Sequence, residues 1–532
     1  MKIFKFFFLL GCTASIAAQV TDKQLLEAPG ANWLHYNGSY DSRRFSSMAQ
    51  INAGNVDRLT AKWVFHVPGA GHLESVPIVV DGVMYVTQPN EVYALDARSG
   101  RKIWEYHHVG PSSDRGPNRG VAVYGDKVFF GTPDAVLVAL NASTGNLIWE
   151  VKLAEPEEGY WSPAAPMVVK GKVLVGIAPG DRGLNGFIDA YDPETGKRIW
   201  RWSPIPKLGE PGSETWAGDS WKHAGGDTWL TQSYDPELNT VYWGIGNPSP
   251  DFNGDVRMGD NLYTECVVAL DPDTGTLKWY FQFTPHDVMD WDAVELPVLV
   301  DETYEGKMRK LLLQADRNGF YYVLDRTNGK FLHGSPFVHQ LNWATGLTPE
   351  GRPIRVPGVE PSLLGTKVCP SDIGATNWMS PTFDPQTKLF YVVALEGCGV
   401  ATKSTEQFRP GGFQYRATGA VLLQDDSWKV YVRALDMETG KLVWEQERIK
   451  NNGLGGGLMS TAGGLLFSGE LNGQFVAMDA KTGKVLWHFN TGQQINAQPI
   501  TYGIDGKEYV SLTSGGDVFS FGLFEDGKKA TR

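Results

Sequence analysis

Hydrophobic positions along this chain fall in short runs, such as VMYVT at 83–87 and KVFFG at 127–131, each closed within a few residues by Asp, Asn, Gly or Pro. Few windows show helical periodicity, so the pattern predicts an all-β chain of short strands joined by tight turns. One pattern recurs: Ala-x-Asp/Asn-x-x-x-Gly-x-x-x-Trp. It occurs as Ala94/Asp96/Gly100/Trp104, Ala139/Asn141/Gly145/Trp149, Ala190/Asp192/Gly196/Trp200, Ala269/Asp271/Gly275/Trp279, Ala434/Asp436/Gly440/Trp444 and Ala477/Asp479/Gly483/Trp487. A degenerate copy at 321–332 keeps Asp325 and Gly329 without the Ala or Trp. In each copy a strand ends at the acidic or amide residue, a Gly-containing turn follows, and a Trp sits at a fixed place on the returning strand. Such a unit buries both faces only by stacking on its neighbours. Seven copies, plus one unit closed jointly by strands near Trp63 and near 509–521, predict an eight-bladed β-propeller with tryptophan-docking repeats. A sandwich or solenoid fits repeats this regular less well.

Composition and the N-terminus add the setting. The net charge of −12 argues against nucleic acid as a partner, because phosphate binding needs a basic surface. Lys2 and Lys5 flank an apolar run from Phe6 to Gly11 that continues to Ala17 and Ala18. This predicts a secretory signal peptide over 1–18 and a single propeller domain over 19–532, placed in the periplasm. The less favoured reading is a lipobox, Leu9-Leu10-Gly11-Cys12, with lipid on Cys12. No later stretch has the length of a transmembrane span. Once Cys12 is removed with the leader, Cys266, Cys369 and Cys398 remain. Cys369 and Cys398 flank a Trp-containing segment and are paired here as a disulfide, with Cys266 a buried thiol in a strand. No C-x-x-C-H motif is present, which excludes a haem attached through it.

Most repeats follow one another at 43–51 residues, but the gaps Trp200–Trp279 and Trp279–Trp444 are far longer. Extra length in a repeat protein collects in loops on one face, where function concentrates. The inserted stretches 225–264 and 284–292 hold the most unusual sequence, and the second crowds Asp287, Asp290 and Asp292 together. Alone, this spacing fits a solvated acidic loop better than a cation site.

The repeats and these insertions together resemble the PQQ-dependent (pyrroloquinoline quinone) methanol/ethanol dehydrogenase family over essentially the whole mature chain. The matching runs are G-N-P-S-P at 246–250, R-M-G-D-N at 257–261, T-P-H-D at 284–287, D-R-N-G at 316–319, V-C-P at 368–370 and N-W at 377–378. The resemblance implies a periplasmic enzyme that oxidises an alcohol. Asp290 would accept the hydroxyl proton while hydride passes to PQQ. It implies metal ligation by Asp181, Asn247, Asp290 and Asp292, and cofactor contacts from Glu74, Arg119, Thr228, Trp229, Arg317 and Asn377. Asp292 matches a second Asp found in the lanthanide-using branch, which favours a lanthanide over Ca²⁺ at the metal site. Asp181 stands where the family has a longer Glu. Electrons would leave to a separate cytochrome c or similar carrier, and the family admits a homodimer.

Three positions depart from the family pattern. Ser113 and Asp114 replace vicinal cysteines. Pro163, beside Ser162, replaces a cofactor-contacting Thr. Asp251, followed by Phe252, replaces the Trp that roofs the substrate pocket, which predicts a larger or more polar pocket. The competing reading is a non-catalytic exported propeller, similar to the scaffold lipoprotein of outer-membrane protein assembly. Such scaffolds share the repeat and lack the inserted segments.

Overall fold

The computed structural model describes residues 19–110, 116–423, 428–449 and 453–524. The leader with Cys12 and the pair Ser113 and Asp114 lie outside the described residues. The chain is an all-β propeller. Its strands form eight antiparallel sheets of four strands, one of them extended by the short parallel strand Phe45–Ser46. Seven sheets follow one another along the chain, over 78–107, 122–152, 167–202, 233–282, 298–336, 382–447 and 458–490, the sixth interrupted by strands Cys398–Lys403 and Thr418–Leu423. The eighth joins the two ends: strand Leu59–His66 pairs antiparallel with Asp517–Leu523, beside Lys507–Ser514 and Ile500–Ile504. A two-stranded and a three-stranded sheet are built from strands between 344 and 368 and between 398 and 423.

The repeat residues have one job each. In all six full copies the Ala is paired across the ladder with the Trp, as Ala94 with Trp104 and Ala139 with Trp149. Every one of these alanines is fully buried. The Asp or Asn side chain caps the turn: Asp96 Oδ1 accepts the backbone N–H of Arg98 (2.9 Å) and Ser99 (3.2 Å). The Trp then packs on the turn Gly of the next sheet. A Cβ at Gly145, where φ is +73°, would lie 2.6 Å from the Trp104 ring, so only Gly fits. The indole N–H donates to a carbonyl in the same turn, from Trp104 to Ala142 (2.9 Å) and from Trp149 to Pro193 (3.0 Å). Trp487 donates to Leu59 (3.1 Å) and Trp63 to Ala97 (3.0 Å), which ties the last sheet through the closing sheet to the first. The degenerate copy solves the same problem differently. His333 stands at the Trp position, and its Nε2 donates to the Thr439 carbonyl at 2.8 Å.

An N-terminal strap, residues 20–46, threads across the molecule and touches all eight sheets. Val20 bridges Gly125 and Trp33 bridges Val79. The Ala31 carbonyl accepts Gly503 N–H, Tyr40 accepts Tyr234, Asp41 accepts Leu299, Arg43 accepts Phe383 and Arg44 accepts Ser460. The Tyr40 hydroxyl reaches the Val168 carbonyl at 2.7 Å. Cys369 and Cys398 form the expected disulfide. Cys266 is a buried free thiol, and burial pushes its ionisation upward. Among the described residues no helix is long and apolar enough to cross a membrane.

Candidate active site

The two inserted segments and a short turn converge on a cavity of about 440 Å³ lined by Arg119, Asp181, Trp229, Asp290, Asp292 and Arg317, together with Asp227. The turn carrying Asp290 is held from below by Asp287, whose two oxygens accept the N–H groups of Met289 (3.1 Å) and Trp291 (3.2 Å). Arg257, fully buried, donates to the Asp287 carbonyl at 2.5 Å and to the Pro250 carbonyl, so the R-M-G-D-N run braces this turn. Trp291 pins the far end by donating to Ser371 (2.7 Å). Asp290 itself adopts φ +61°, a left-handed conformation uncommon for a side-chain-bearing residue. Of the three crowded acids, Asp287 is therefore structural and Asp290 faces the cavity.

Asp181 sits on the one-turn 3₁₀ helix Gly180–Arg182. Asp227 anchors that turn by accepting the Gly180 N–H at 2.6 Å. Carboxylate oxygens of Asp181, Asp251 and Asp290 all come within 4.8 Å of one another. Burial raises the Asp290 carboxyl well above the usual range, its neighbours Asp181, Asp251 and Asp292 raise it further, and Arg416 opposes them. Burial likewise raises Asp181, Asp251 and Asp227. Three carboxylates gathered this closely are the donor set that a hard cation neutralises. An independent feature agrees: the Oδ1 of fully buried Asn247 has no hydrogen-bond partner, while its Nδ2 lies 3.0 Å from Asp251 Oδ1. A buried amide oxygen left without a donor suits a metal ligand.

Asp292 stands apart from this trio. Its Oδ1 accepts the Asn247 backbone N–H (2.7 Å), and its Oδ2 accepts the Trp229 indole N–H (3.0 Å) and Arg317 Nη2 (3.0 Å). Both oxygens are engaged, but Oδ1 accepts a single bond and keeps a lone pair that a cation could use. Gly246 is required beside it, since a Cβ there would lie 2.4 Å from Asp292 Oδ1.

The other wall is aromatic and cationic. The Arg119 guanidinium lies over Trp229 (4.9 Å) and Trp378 (4.7 Å) and pairs with Glu74 at 2.7 Å. Among the described residues its Nε and Nη1 have no partners and are buried, two donors suited to an anion. Arg317 lies 5.8 Å from the Trp229 ring centre, pairs with Asp292 and Glu295 and donates to the Asp290 carbonyl. Burial would lower Arg317, but the surrounding carboxylates reverse this and hold it charged. A flat, partly exposed indole flanked by guanidinium groups fits a planar polycarboxylate. Thr228 commits its hydroxyl to the backbone, donating to Phe187 (2.6 Å) and accepting Ile177 N–H (2.8 Å). Asn377 bonds to Ile373 and to Trp378 N–H. These two shape the wall from behind.

The departures resolve unevenly. Ser162 turns its hydroxyl to the Gly176 carbonyl (3.3 Å), and the Pro163 carbonyl accepts the Arg119 N–H (3.0 Å). Asp251, at the position where the pocket-roof Trp was expected to be missing, brings a charged group instead. It is fully buried and paired with Arg416, whose guanidinium lies over Phe252. Sequence reasoning missed Arg416 and Asp227. The acid in GGDTW beside Trp229 was a usable signal for Asp227. Arg416, in a Gly- and aromatic-rich loop, offered none.

Residues 33–335 match the family described as "Glucose/ethanol/alcohol dehydrogenase, beta-propeller domain", and residues 429–529 match "Outer membrane protein assembly factor BamB". The chain is 41% identical to quinoprotein alcohol dehydrogenase PedH of Pseudomonas putida, over 94% of this chain and 89% of that protein. Among solved structures, the quinohemoprotein alcohol dehydrogenase of Comamonas testosteroni superposes with a TM-score of 0.90 at 34% identity, covering 96% of this chain and 84% of that one. A europium-containing methanol dehydrogenase superposes with a TM-score of 0.88 at 34% identity, covering 94% of this chain and 99% of that one.

Proposed function

The chain belongs to the PQQ-dependent quinoprotein alcohol dehydrogenases, and we propose on that basis that it oxidises an alcohol with Asp290 as the base. PQQ, when bound, supplies a hydride-accepting quinone, and the metal ion supplies a Lewis acid. The observation that carries the reading is what lines one cavity: Trp229 beside Arg119 and Arg317, together with the carboxylates Asp181 and Asp290, which Asp251 joins from behind in one cluster. We assign the cofactor to the aromatic wall, with Arg119 and Arg317 binding its carboxylates and reactive carbonyls and Glu74, Thr228 and Asn377 fixing the scaffold. We assign the metal to Asp181, Asn247 and Asp290. Asp292 lies beside them and contributes an extra negative charge, which favours a lanthanide over Ca²⁺. The substrate hydroxyl is held against Asp290, which takes its proton; a carboxylate does this only while ionised, and Arg416 favours that state.

We read the eight sheets as eight blades docked by their tryptophans, forming one domain over residues 19–532 behind a periplasmic leader. Electrons then leave to a separate cytochrome c or similar acceptor.

The test is reconstitution of purified protein with PQQ plus La³⁺ or Ca²⁺, followed by dye-linked oxidation of an alcohol panel. The expected result is quinone absorbance and turnover, both stronger with La³⁺, and a loss of turnover in D290N of about 100-fold or more. Neither absorbance nor turnover with either metal would overturn the reading.

A further inference from the structure

We propose that Arg416, itself oriented by Asp251, is the residue that positions the Asp290 carboxylate for proton abstraction. The proposal rests on the reading of Asp290 as the base and deepens it. Asp290 lies on an irregular turn at φ +61°, where no helix or ladder neighbour fixes its side chain. Among the described residues its one ion pair is to Arg416, from Nη2 to Asp290 Oδ2 at 2.6 Å. The same guanidinium uses Nε to grip Asp251 Oδ2 at 2.7 Å. Asp251 has no freedom of its own: it is fully buried, and its other oxygen accepts Asn247 Nδ2 at 3.0 Å and Ser249 Oγ at 3.4 Å. The chain Asn247–Asp251–Arg416–Asp290 therefore runs from the rigid G-N-P-S-P segment to the reacting carboxylate.

The loop that delivers Arg416 is clamped on both sides. The Arg416 carbonyl accepts the Phe252 N–H at 2.9 Å, Ser404 N–H donates to Ala417, and the Ala417 N–H is held by Glu406 at 2.8 Å. The guanidinium lies over the Phe252 ring, 5.2 Å from its centre. Only a planar fork can present two N–H groups to two carboxylates at a set angle, and an ammonium cannot replace it. Asp251 occupies the place of the family's pocket-roof Trp, so in this chain a charged pair takes over a position that an aromatic ring otherwise fills.

The experiment uses the reconstituted holoenzyme and the variants R416A, R416Q, R416K and D251N. We expect R416A and R416Q to lose about 100-fold in kcat, with R416K no better and the alcohol KM changed less than about threefold. In the Arg416 variants PQQ absorbance and bound metal remain at wild-type levels. Added guanidinium ion restores roughly tenfold of the R416A loss and nothing to D290N, a response that a merely structural arginine would not give. D251N falls about tenfold, and the R416A/D251N double variant is no slower than R416A, as members of one chain require. Near wild-type kcat in R416A and R416Q, absence of guanidinium rescue, or additive losses in the double variant would each overturn the proposal. Failure of the underlying reading looks different: the wild-type holoenzyme does not turn over, or D290N remains active.

Discussion

Asp292 accepts three hydrogen bonds on two oxygens, from Asn247 N–H, the Trp229 indole and Arg317. Removing it frees the floor of the cofactor wall and the backbone of a proposed metal ligand together. Asp292→Ala is therefore expected to cut kcat by about 10- to 100-fold with La³⁺ and with Ca²⁺ alike, the range typical of groups that orient ligands. Steady-state rates of the variant reconstituted with each metal decide the matter. A loss confined to the lanthanide form would make Asp292 a direct ligand. At this scale the sequence was informative wherever the reacting residues lie in one short run. Asp290, Asp292 and Trp229 could each be located from motifs. Arg416 could not, because its contact with Asp290 spans 126 residues and two separate loops. Nor could Asp251's role, since its partner Arg416 lies 165 residues away.

At the scale of the element, the repeat is a lock between neighbouring sheets, and its tolerance follows from geometry. Gly145 combines φ +73° with a Trp104 ring 2.6 Å from where a Cβ would stand. Gly145→Ala should destabilise the protein by about 1–3 kcal/mol, from left-handed strain plus displacement of the indole. A lowered urea midpoint, with unchanged quinone absorbance of the folded holoenzyme, is the expected measurement. This element was fully legible because each function has its own letter: Ala leaves room for Trp, Asp or Asn caps the turn, and Gly admits the ring. The degenerate copy was legible only as a gap. His333 replaces the Trp there by hydrogen-bonding Thr439, and a single His carries no pattern that sets it apart from a surface residue.

For the whole molecule, the ends matter more than the repeats suggest. The strands around Trp63 and 509–521 were expected to close one sheet, and they do. The strap that precedes them was invisible, because a mostly irregular segment whose backbone bonds go to seven different sheets has no period. Its buried centre makes a prediction about acid. His35 lies inside the strap with Nε2 donating to the Leu25 carbonyl at 2.8 Å, and burial holds its ionisation down to about 4 against 6.5 in an open chain, despite the Leu25 bond and Asp41. The folded His35 is thus neutral at pH values where the unfolded chain has already bound a proton. Its contribution to stability is intact above pH 6.5 and falls as pH drops towards 4, by about 3 kcal/mol in all. Below pH 4 both states are protonated and the loss stops. Urea midpoints at pH 7 and pH 4.5 check this with H35Q, whose amide can keep a donor near Leu25 without titrating. H35Q should be the less stable protein at pH 7 and should lose distinctly less than wild type between the two pH values. An equal loss in both proteins would place the acid sensitivity elsewhere than in the strap.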